Sequence, residues 1–194
     1  MKRLAFLLLS VVLCASLNAQ EHLSFKNIPI EGNISDFISK LKVQGFTLEE
    51  SMSNGAILKG PFVGYDNCTV YVLCSKSSKT VWKVVASLPS QVSWSSTRSR
   101  YEDFKETYTK KYGKPSDSYE FFIDPYERGD GYELQAIKLE KGYYTTYWEL
   151  EAGTIVVEID ALSNSDGWVK LVYEDAAGCA TQEREKSQMI SDEI

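Results

Sequence analysis

The sequence predicts an α+β protein of two tandem repeats, each a helix followed by an antiparallel meander, with the helices packed on one face of the sheet. Three observations support this. The hairpin "TVYVLCSKSSKTVWKVV" (69–85) returns in similar form as "TIVVEIDALSNSDGWVKLV" (154–172). Before each hairpin a helical segment ends at a glycine, in "DFISKLKVQG" and in "DFKETYTKKYG". Apolar and polar residues alternate along the strands, as in a sheet with one covered face.

The first repeat opens with "LSFKNIPI", which is typical of one short strand. A helix follows, with Ser35 as its predicted N-cap and Gly45 as its stop. Two strands then flank Asn54-Gly55, a dipeptide that strongly favours a two-residue hairpin turn. The repeated hairpin completes this half of the chain, with its turn in "SKSSK".

The second repeat begins with a helix that Ser95 or Ser96 can cap and that continues to about Tyr112. Gly113 favours the left-handed conformation that ends helices. Pro115 prevents the helix from continuing, because proline lacks the N–H that the next helical hydrogen bond needs. We expect both Gly45 and Gly113 to have positive φ.

The rest of the second repeat is longer than its counterpart, with the extra residues near 119–142. A strand "SYEFF", a polar loop "IDPYERGDG" and a short helix in "YELQAIKLEKG", ended by Gly142, fill this region. The strands "YYTTYWEL", "TIVVEIDAL" and "GWVKLVYE" follow. The predicted organisation is a first repeat over 21–90, a second over 91–175, and a polar C-terminal helix or tail over 176–194.

Alternation assigns the two faces of the strands. One face is apolar in both copies of the hairpin and should lie under the helices: Val70, Val72 and Cys74 in the first, Ile155, Val157 and Ile159 in the second. The other face is mixed, and we expect it to face water. Trp82 and Trp148 are assigned to the core. If the halves are duplicates, Lys83 and Lys170 occupy equivalent places on the uncovered face.

The tandem helix-and-meander plan, with Tyr112-Gly113-Lys114-Pro115 leading from a helix into a strand, resembles the β-lactamase inhibitor protein fold. It is also similar to small outer-membrane assembly lipoproteins of the SmpA/OmlA type, whose helix ends in a Leu-Gly-x-Pro pattern. "FKNIPIEG" after a signal peptide is similar to secreted proteins of gut Bacteroides. The resemblance implies a scaffold and transfers no functional residue.

The first twenty residues, "MKRLAFLLLSVVLCASLNAQ", have the charged start and apolar stretch of a secretory signal peptide. Cleavage next to Ala19 would leave Gln20 or Glu21 at the mature N-terminus. Cys14 raises the alternative of a lipoprotein, but the bulky Leu13 before it disfavours lipidation. The sequence therefore predicts an exported protein, periplasmic or secreted, without stable membrane insertion.

The charge of the chain limits the classes of partner that it can bind. Without residues 1–20, 19 basic residues stand against 27 acidic ones, a net charge of −8, which disfavours nucleic acid as a partner.

Three cysteines remain after residue 20: Cys68, Cys74 and Cys179. Cys68 and Cys74 on one strand would lie roughly 20 Å apart, too far for a disulfide. Cys179 could therefore pair with either one, or all three could be buried, inert thiols.

Catalytic and metal motifs are scarce. His22 is the only histidine and is expected at a ragged mature N-terminus, which argues against serine–histidine catalysis and against histidine zinc sites. Asp124 and Asp130 lack the alternating oxygen ligands of a calcium loop. We predict no enzyme activity, no cofactor and no metal. A carboxylate-dependent glycan hydrolase stays open as an alternative, because 27 acidic residues offer many pairs.

Aromatic residues are the remaining signal, since they make up 12% of the chain and "YYTTYW" concentrates four of them. Rigid amphipathic tyrosines suit binding surfaces, although they are also ordinary strand residues. The main hypothesis is a binding protein that presents its uncovered sheet face to a protein or peptide of the cell envelope. The alternative is a carbohydrate-binding accessory protein. The candidate binding residues are Tyr71, Lys83, Tyr143, Tyr147, Glu149 and Lys170.

Overall fold

The structure, a computed structural model, describes residues 21–193. The predicted signal peptide and Cys14 lie outside the described residues. Within the described part, the chain is an α+β protein with four helices, one antiparallel sheet of eight strands and a small sheet of two strands. The elements in chain order are β1 (Ser24–Phe25), β2 (Ile28–Pro29), α1 (Ile34–Val43), β3 (Thr47–Met52), β4 (Gly55–Phe62), β5 (Tyr65–Cys74), β6 (Val81–Ser87), α2 (Trp94–Tyr112), β7 (Asp117–Phe122), α3 (Glu133–Lys138), β8 (Gly142–Leu150), β9 (Gly153–Ser163), β10 (Asp166–Asp175) and α4 (Ala176–Glu193).

The large sheet has the strand order β3-β4-β5-β6-β10-β9-β8-β7. Each half of the chain therefore contributes a four-stranded meander that follows a helix, and the two meanders meet where β6 pairs with β10. Val85 lies opposite Val172 in that central pair. β3 and β7 form the two edges of the sheet.

Side chains cap the starts of α1 and α2, but two or three residues earlier than predicted. Asn33 caps α1 by accepting a 2.9 Å hydrogen bond from the backbone N–H of Ser35, so Ser35 is not the cap. Ser93 caps α2 by accepting from the N–H of Ser96, so neither Ser95 nor Ser96 is the cap. Both caps have extended backbone, with φ of −74° and −141°, as a capping residue requires.

Glycines end both helices as predicted. Gly45 has a φ of 90° and Gly113 a φ of 89°, a region in which other residues are strained. Gly142 has a different role from the one predicted, because α3 already ends at Lys138 and Gly142 begins β8. A Cβ at Gly142 would lie 2.7 Å from the ring of Phe122, so close packing between strands explains the glycine.

The segment 23–30 is not one strand, as predicted, but two short strands joined by a tight turn. Lys26 and Asn27 form the turn with φ of 50° and 62°, and β1 pairs antiparallel with β2. Positive φ at both central positions matches the turn type that joins twisted two-stranded hairpins. The hairpin buries Phe25 and Ile28 in the core.

The predicted covered face is confirmed. All six apolar residues assigned to it are buried: Val70, Val72, Cys74, Ile155, Val157 and Ile159. Helix α1 packs on this core through Phe37 and Leu41, α2 through Tyr101 and Tyr108, and α3 through Leu134.

The two tryptophans assigned to the core differ. Trp148 is 1% exposed and donates its indole N–H to the carbonyl of Gly113, whereas Trp82 is only partly buried. A register shift in the β5–β6 pair near Cys74 leaves Trp82 as an extra residue on its strand. The backbone of Gly178 in α4 lies against Trp82, and a Cβ at Gly178 would be 2.7 Å from the Trp82 Cα.

Helix α4 is held to the turn between β5 and β6 by one carboxylate. Glu185 accepts hydrogen bonds from the backbone N–H groups of Ser77 (2.8 Å) and Ser78 (3.1 Å) and from the hydroxyl of Ser75 (3.1 Å). Hydrogen bonding by Ser78 and Ser77 lowers the pKa of Glu185 to about 2. The carboxylate therefore fastens the C-terminal helix to the sheet.

Candidate binding face

The face of the large sheet opposite the core is defined by strand alternation and is called the uncovered face below. Its middle row crosses six strands and is apolar or aromatic: Ile57, Tyr71, Val85, Val172, Val156 and Tyr147. Because each residue lies directly opposite the next on the neighbouring strand, the row is a continuous stripe across the sheet.

Two ion-pair groups flank this row near the centre of the sheet. The Nζ of Lys83 lies 2.5 Å from the Oε1 of Glu174. The Nζ of Lys170 lies 2.8 Å from Glu158 and 3.0 Å from Asp160. Burial lowers the pKa of Lys170, but the two carboxylates outweigh this and raise it above its ordinary value. Each lysine is therefore paired with carboxylates within the protein.

Four aromatic rings at the β7–β8 side of the uncovered face form what we call the aromatic patch: Tyr119, Phe121, Tyr143 and Tyr147. Phe121 and Tyr143 stack with centroids 5.1 Å apart and planes at 30°. Tyr119 meets Tyr147 edge-on, with centroids 6.1 Å apart. Tyr119, Phe121 and Tyr143 are 45%, 46% and 38% exposed, which is high for three neighbouring large rings. The patch is thus an ordered apolar surface in contact with water.

Carboxylates surround the aromatic patch. The hydroxyl of Tyr119 donates a 2.5 Å hydrogen bond to Asp117, and this bond raises the Tyr119 pKa. Asp117 also lies directly opposite Tyr147 in the β7–β8 pair. Burial, and then the nearby carboxylates of Glu158, Glu174 and Asp117, raise the pKa of Tyr147. Both phenols are therefore neutral hydrogen-bonding groups at physiological pH.

All six candidate binding residues from the sequence occupy strand positions on the uncovered face, but they are not one cluster. Tyr143 and Tyr147 belong to the aromatic patch, and the exposed Glu149 lies two residues beyond Tyr147 on β8. Tyr71, 36% exposed, lies on β5 in the other half of the sheet. Lys83 and Lys170 are engaged in the central ion pairs, as described above.

Sequence reasoning missed Tyr119 and Phe121, the most exposed rings of the patch. The period-2 alternation in "DSYEFF" places both on one side of β7. The antiparallel pairing of Tyr119 with Thr145 and of Phe121 with Tyr143 then brings them beside the tyrosines of β8. The pairing of β7 with β8, across an insertion that contains α3, is the signal that would have located the whole patch.

His22 is not at a ragged end, as expected from the sequence, but is held by two carboxylates. Its Nδ1 lies 3.0 Å from Asp175 and its Nε2 lies 3.5 Å from Glu31. The fully buried Asp175 also accepts hydrogen bonds from the N–H groups of Leu23 and Gly178. Both imidazole nitrogens face carboxylates, so the histidine tethers the N-terminal segment to the junction of β10 and α4.

A cavity of about 610 Å³ lies between the N-terminal segment, the end of α2 and the β8–β9 turn. The hydroxyls of Tyr108 and Tyr173 are hydrogen-bonded to each other in its lining. Burial raises the pKa of both phenols, so both are neutral. The carboxylates in the lining are Glu21 and Glu151.

Residues 21–193 also lack a metal site, a disulfide and a membrane-spanning helix. No group of three or more potential metal ligands occurs there. Cys68, Cys74 and Cys179 are all free thiols, and the first two are buried, so neither possible disulfide is present. In the same part of the chain, none of the helices combines the length and apolar character needed to cross a membrane.

Comparison of the chain with protein-family models, with curated proteins and with solved structures finds no significant match.

Proposed function

We propose that this is an exported, non-enzymatic binding protein that holds a protein or peptide partner on the uncovered face of its sheet. The observation that supports this most is the aromatic patch, in which three neighbouring rings are 38–46% exposed. Large exposed apolar patches on folded proteins mark interaction sites more often than not. Tyrosine and phenylalanine also provide much contact area with few rotatable bonds.

The patch is preorganised for binding. Phe121 stacks on Tyr143, and Tyr119 is fixed both by its hydrogen bond to Asp117 and by its contact with Tyr147. All four rings project from paired strands rather than from loops. A partner would therefore lose little free energy to ordering these side chains, which is one of the main costs of association.

We further propose that the two halves of the chain are copies of one unit, on the plan that resembles the β-lactamase inhibitor protein fold. The register supports this, because Val85 lies opposite Val172 and the lysines Lys83 and Lys170 each stand two residues before the paired valine. The two helix-ending glycines occupy matching places before each meander. On this view duplication supplied the broad sheet, and the patch arose in the second copy.

Loss of the patch tyrosines should abolish partner capture. We expect the mature protein to recover a defined partner from cell-envelope extracts, and the double variant Tyr143→Ala/Tyr147→Ala to recover at least about tenfold less, as for central aromatic contacts at interfaces. The matched control is Tyr126→Ala/Tyr132→Ala, which removes two tyrosines from the loop before α3. Equal recovery by the patch variant and the wild type would contradict the assignment of the site.

A carbohydrate-binding accessory protein is the second candidate. The exposed ring faces of the aromatic patch, with the carboxylates Asp117 and Glu149 beside them, could stack on sugar rings and accept hydrogen bonds from their hydroxyls. A glycan array distinguishes the two candidates. Binding to glycans that is lost in Tyr143→Ala/Tyr147→Ala would favour this function over a protein partner.

A further inference from the structure

The uncovered face of the second half is strongly acidic. On strands β7 to β10 its positions carry five carboxylates, Asp117, Glu149, Glu158, Asp160 and Glu174, against one ammonium group, Lys170. Two of these strands, β7 and β8, carry the aromatic patch. The surface that a partner would contact is therefore negatively charged.

The internal ion pairs offset only part of that charge. Lys83 of β6 neutralises Glu174, and Lys170 is shared between Glu158 and Asp160. Two of the five negative charges are thus compensated and three are left. Asp117 and Glu149, both exposed, are the uncompensated carboxylates nearest to the rings.

The arrangement of rings and carboxylates suits a cation. Asp117 lies directly opposite Tyr147 on the neighbouring strand, and Glu149 is two residues along β8 from Tyr147, about 7 Å away on the same face. A positive group over the ring of Tyr147 would be attracted by the ring face and by both carboxylates. An anionic group in the same place would meet repulsion from all three.

We infer that the segment bound on the aromatic patch is basic, and that it places lysine or arginine side chains between Tyr147, Asp117 and Glu149. This inference rests on the proposed function and specifies the chemistry of the partner. The net charge of −8 on residues 21–194 would also attract a basic partner at long range and raise its association rate. The negative charge would not attract a neutral glycan at long range, and it would repel an acidic peptide.

To test this, a displayed library of random 12-residue peptides is selected for binding to the mature protein. The affinities of the selected peptides are then measured with free synthetic peptides. Two variants separate the contributions of rings and charges. Tyr143→Ala/Tyr147→Ala removes the rings, and Asp117→Asn/Glu149→Gln removes the charges while keeping the shape of the side chains. Asp103→Asn/Glu106→Gln on the exposed surface of α2 is the charge-matched control.

We expect the peptides that need the rings to be enriched in lysine and arginine. Their affinity should fall about fivefold to tenfold in Asp117→Asn/Glu149→Gln and with a rise in salt, and stay unchanged in Asp103→Asn/Glu106→Gln. Ring-dependent peptides without basic enrichment, or with affinity indifferent to the Asp117 and Glu149 changes, would overturn this inference and leave the proposed function standing. No ring-dependent peptide at all would overturn both.

Discussion

At the scale of single residues, Val72 and Val157 show how strictly the covered face excludes charge. Neither side chain has any exposed surface, and both pack in the core between the sheet and the helices. An aspartate at either position would bury a carboxylate among apolar groups, at a cost of about 3–5 kcal/mol. A loss of this size removes most or all of the stability of a domain at the lower end of the usual range of about 5–15 kcal/mol, so we expect Val72→Asp and Val157→Asp to lack a cooperative thermal transition.

Circular dichroism melts check this, with Thr69→Asp and Thr154→Asp as controls. These threonines lie on the same two strands as the valines but on the uncovered face, where they are partly exposed. We expect both control variants to melt cooperatively. A soluble Val157→Asp protein with a sharp melting transition would show that the covered face tolerates charge and that the face assignment is wrong.

Alternation along a strand shows which residues face the core, but the sequence reveals less about the roles of other individual residues. Period 2 is a local property, so the inward face of each hairpin is predictable. Which of several nearby polar residues caps a helix is less predictable, because it depends on where the backbone changes from extended to helical, which is after Asn33 in one helix and after Ser93 in the other. The role of His22 depends on Asp175, which is 153 positions away along the chain.

At the scale of elements, α4 depends on Glu185 for its contact with the β5–β6 turn. Because the pKa of Glu185 is lowered to about 2, its contribution is present above the unfolded pKa near 4.3 and is lost as pH falls towards 2. We expect Glu185→Gln to speed amide exchange in α4 at pH 5, and the difference from the wild type to shrink as pH is lowered to about 2. Hydrogen exchange followed by mass spectrometry measures this.

Glu183→Gln is the matched control for that experiment, since Glu183 lies on the same helix and is exposed. It removes an equal charge without touching the β5–β6 turn. Similar exchange in α4 of both variants at pH 5 would contradict a specific role for Glu185.

Elements differ in how far sequence determines them. The helix ends at Gly45 and Gly113 were predictable, because cap residues act locally. A hairpin near Asn54-Gly55 was also predictable, but its turn is one residue earlier than predicted, at Ser53-Asn54, and Gly55 begins β4 opposite Met52. The hairpin at Lys26–Asn27 was not predictable, since lysine is uncommon at positive φ, Asn27 is not followed by glycine, and the two strands are only two residues long. Their pairing is stabilised by burial of Phe25, which contacts Tyr173 near the other end of the chain.

At the scale of the whole molecule, the order of strands could not be read from the sequence. A tandem repeat is equally compatible with one continuous sheet and with two similar sheets, because local patterns do not state which strand edges meet. In the structure β6 and β10 join the halves into one sheet through five residue pairs, from Lys83–Glu174 to Ser87–Lys170. The aromatic patch consequently belongs to a surface eight strands wide.

The joined sheet predicts that neither half folds alone. Without residues 91–194, β6 loses one hydrogen-bonded neighbour, and Phe25 loses its contact with Tyr173 at 5.7 Å between ring centroids. Without residues 21–90, β10 loses the same pairing and Asp175 keeps a buried carboxylate without His22 and Leu23 as donors. Exposed sheet edges and half-empty cores leave too little buried apolar surface to offset the conformational entropy of folding. We expect the fragments 21–90 and 91–194 to give poorly dispersed NMR spectra separately and native-like spectra when mixed. A cooperative melt of either fragment alone would show that the two halves are independent domains.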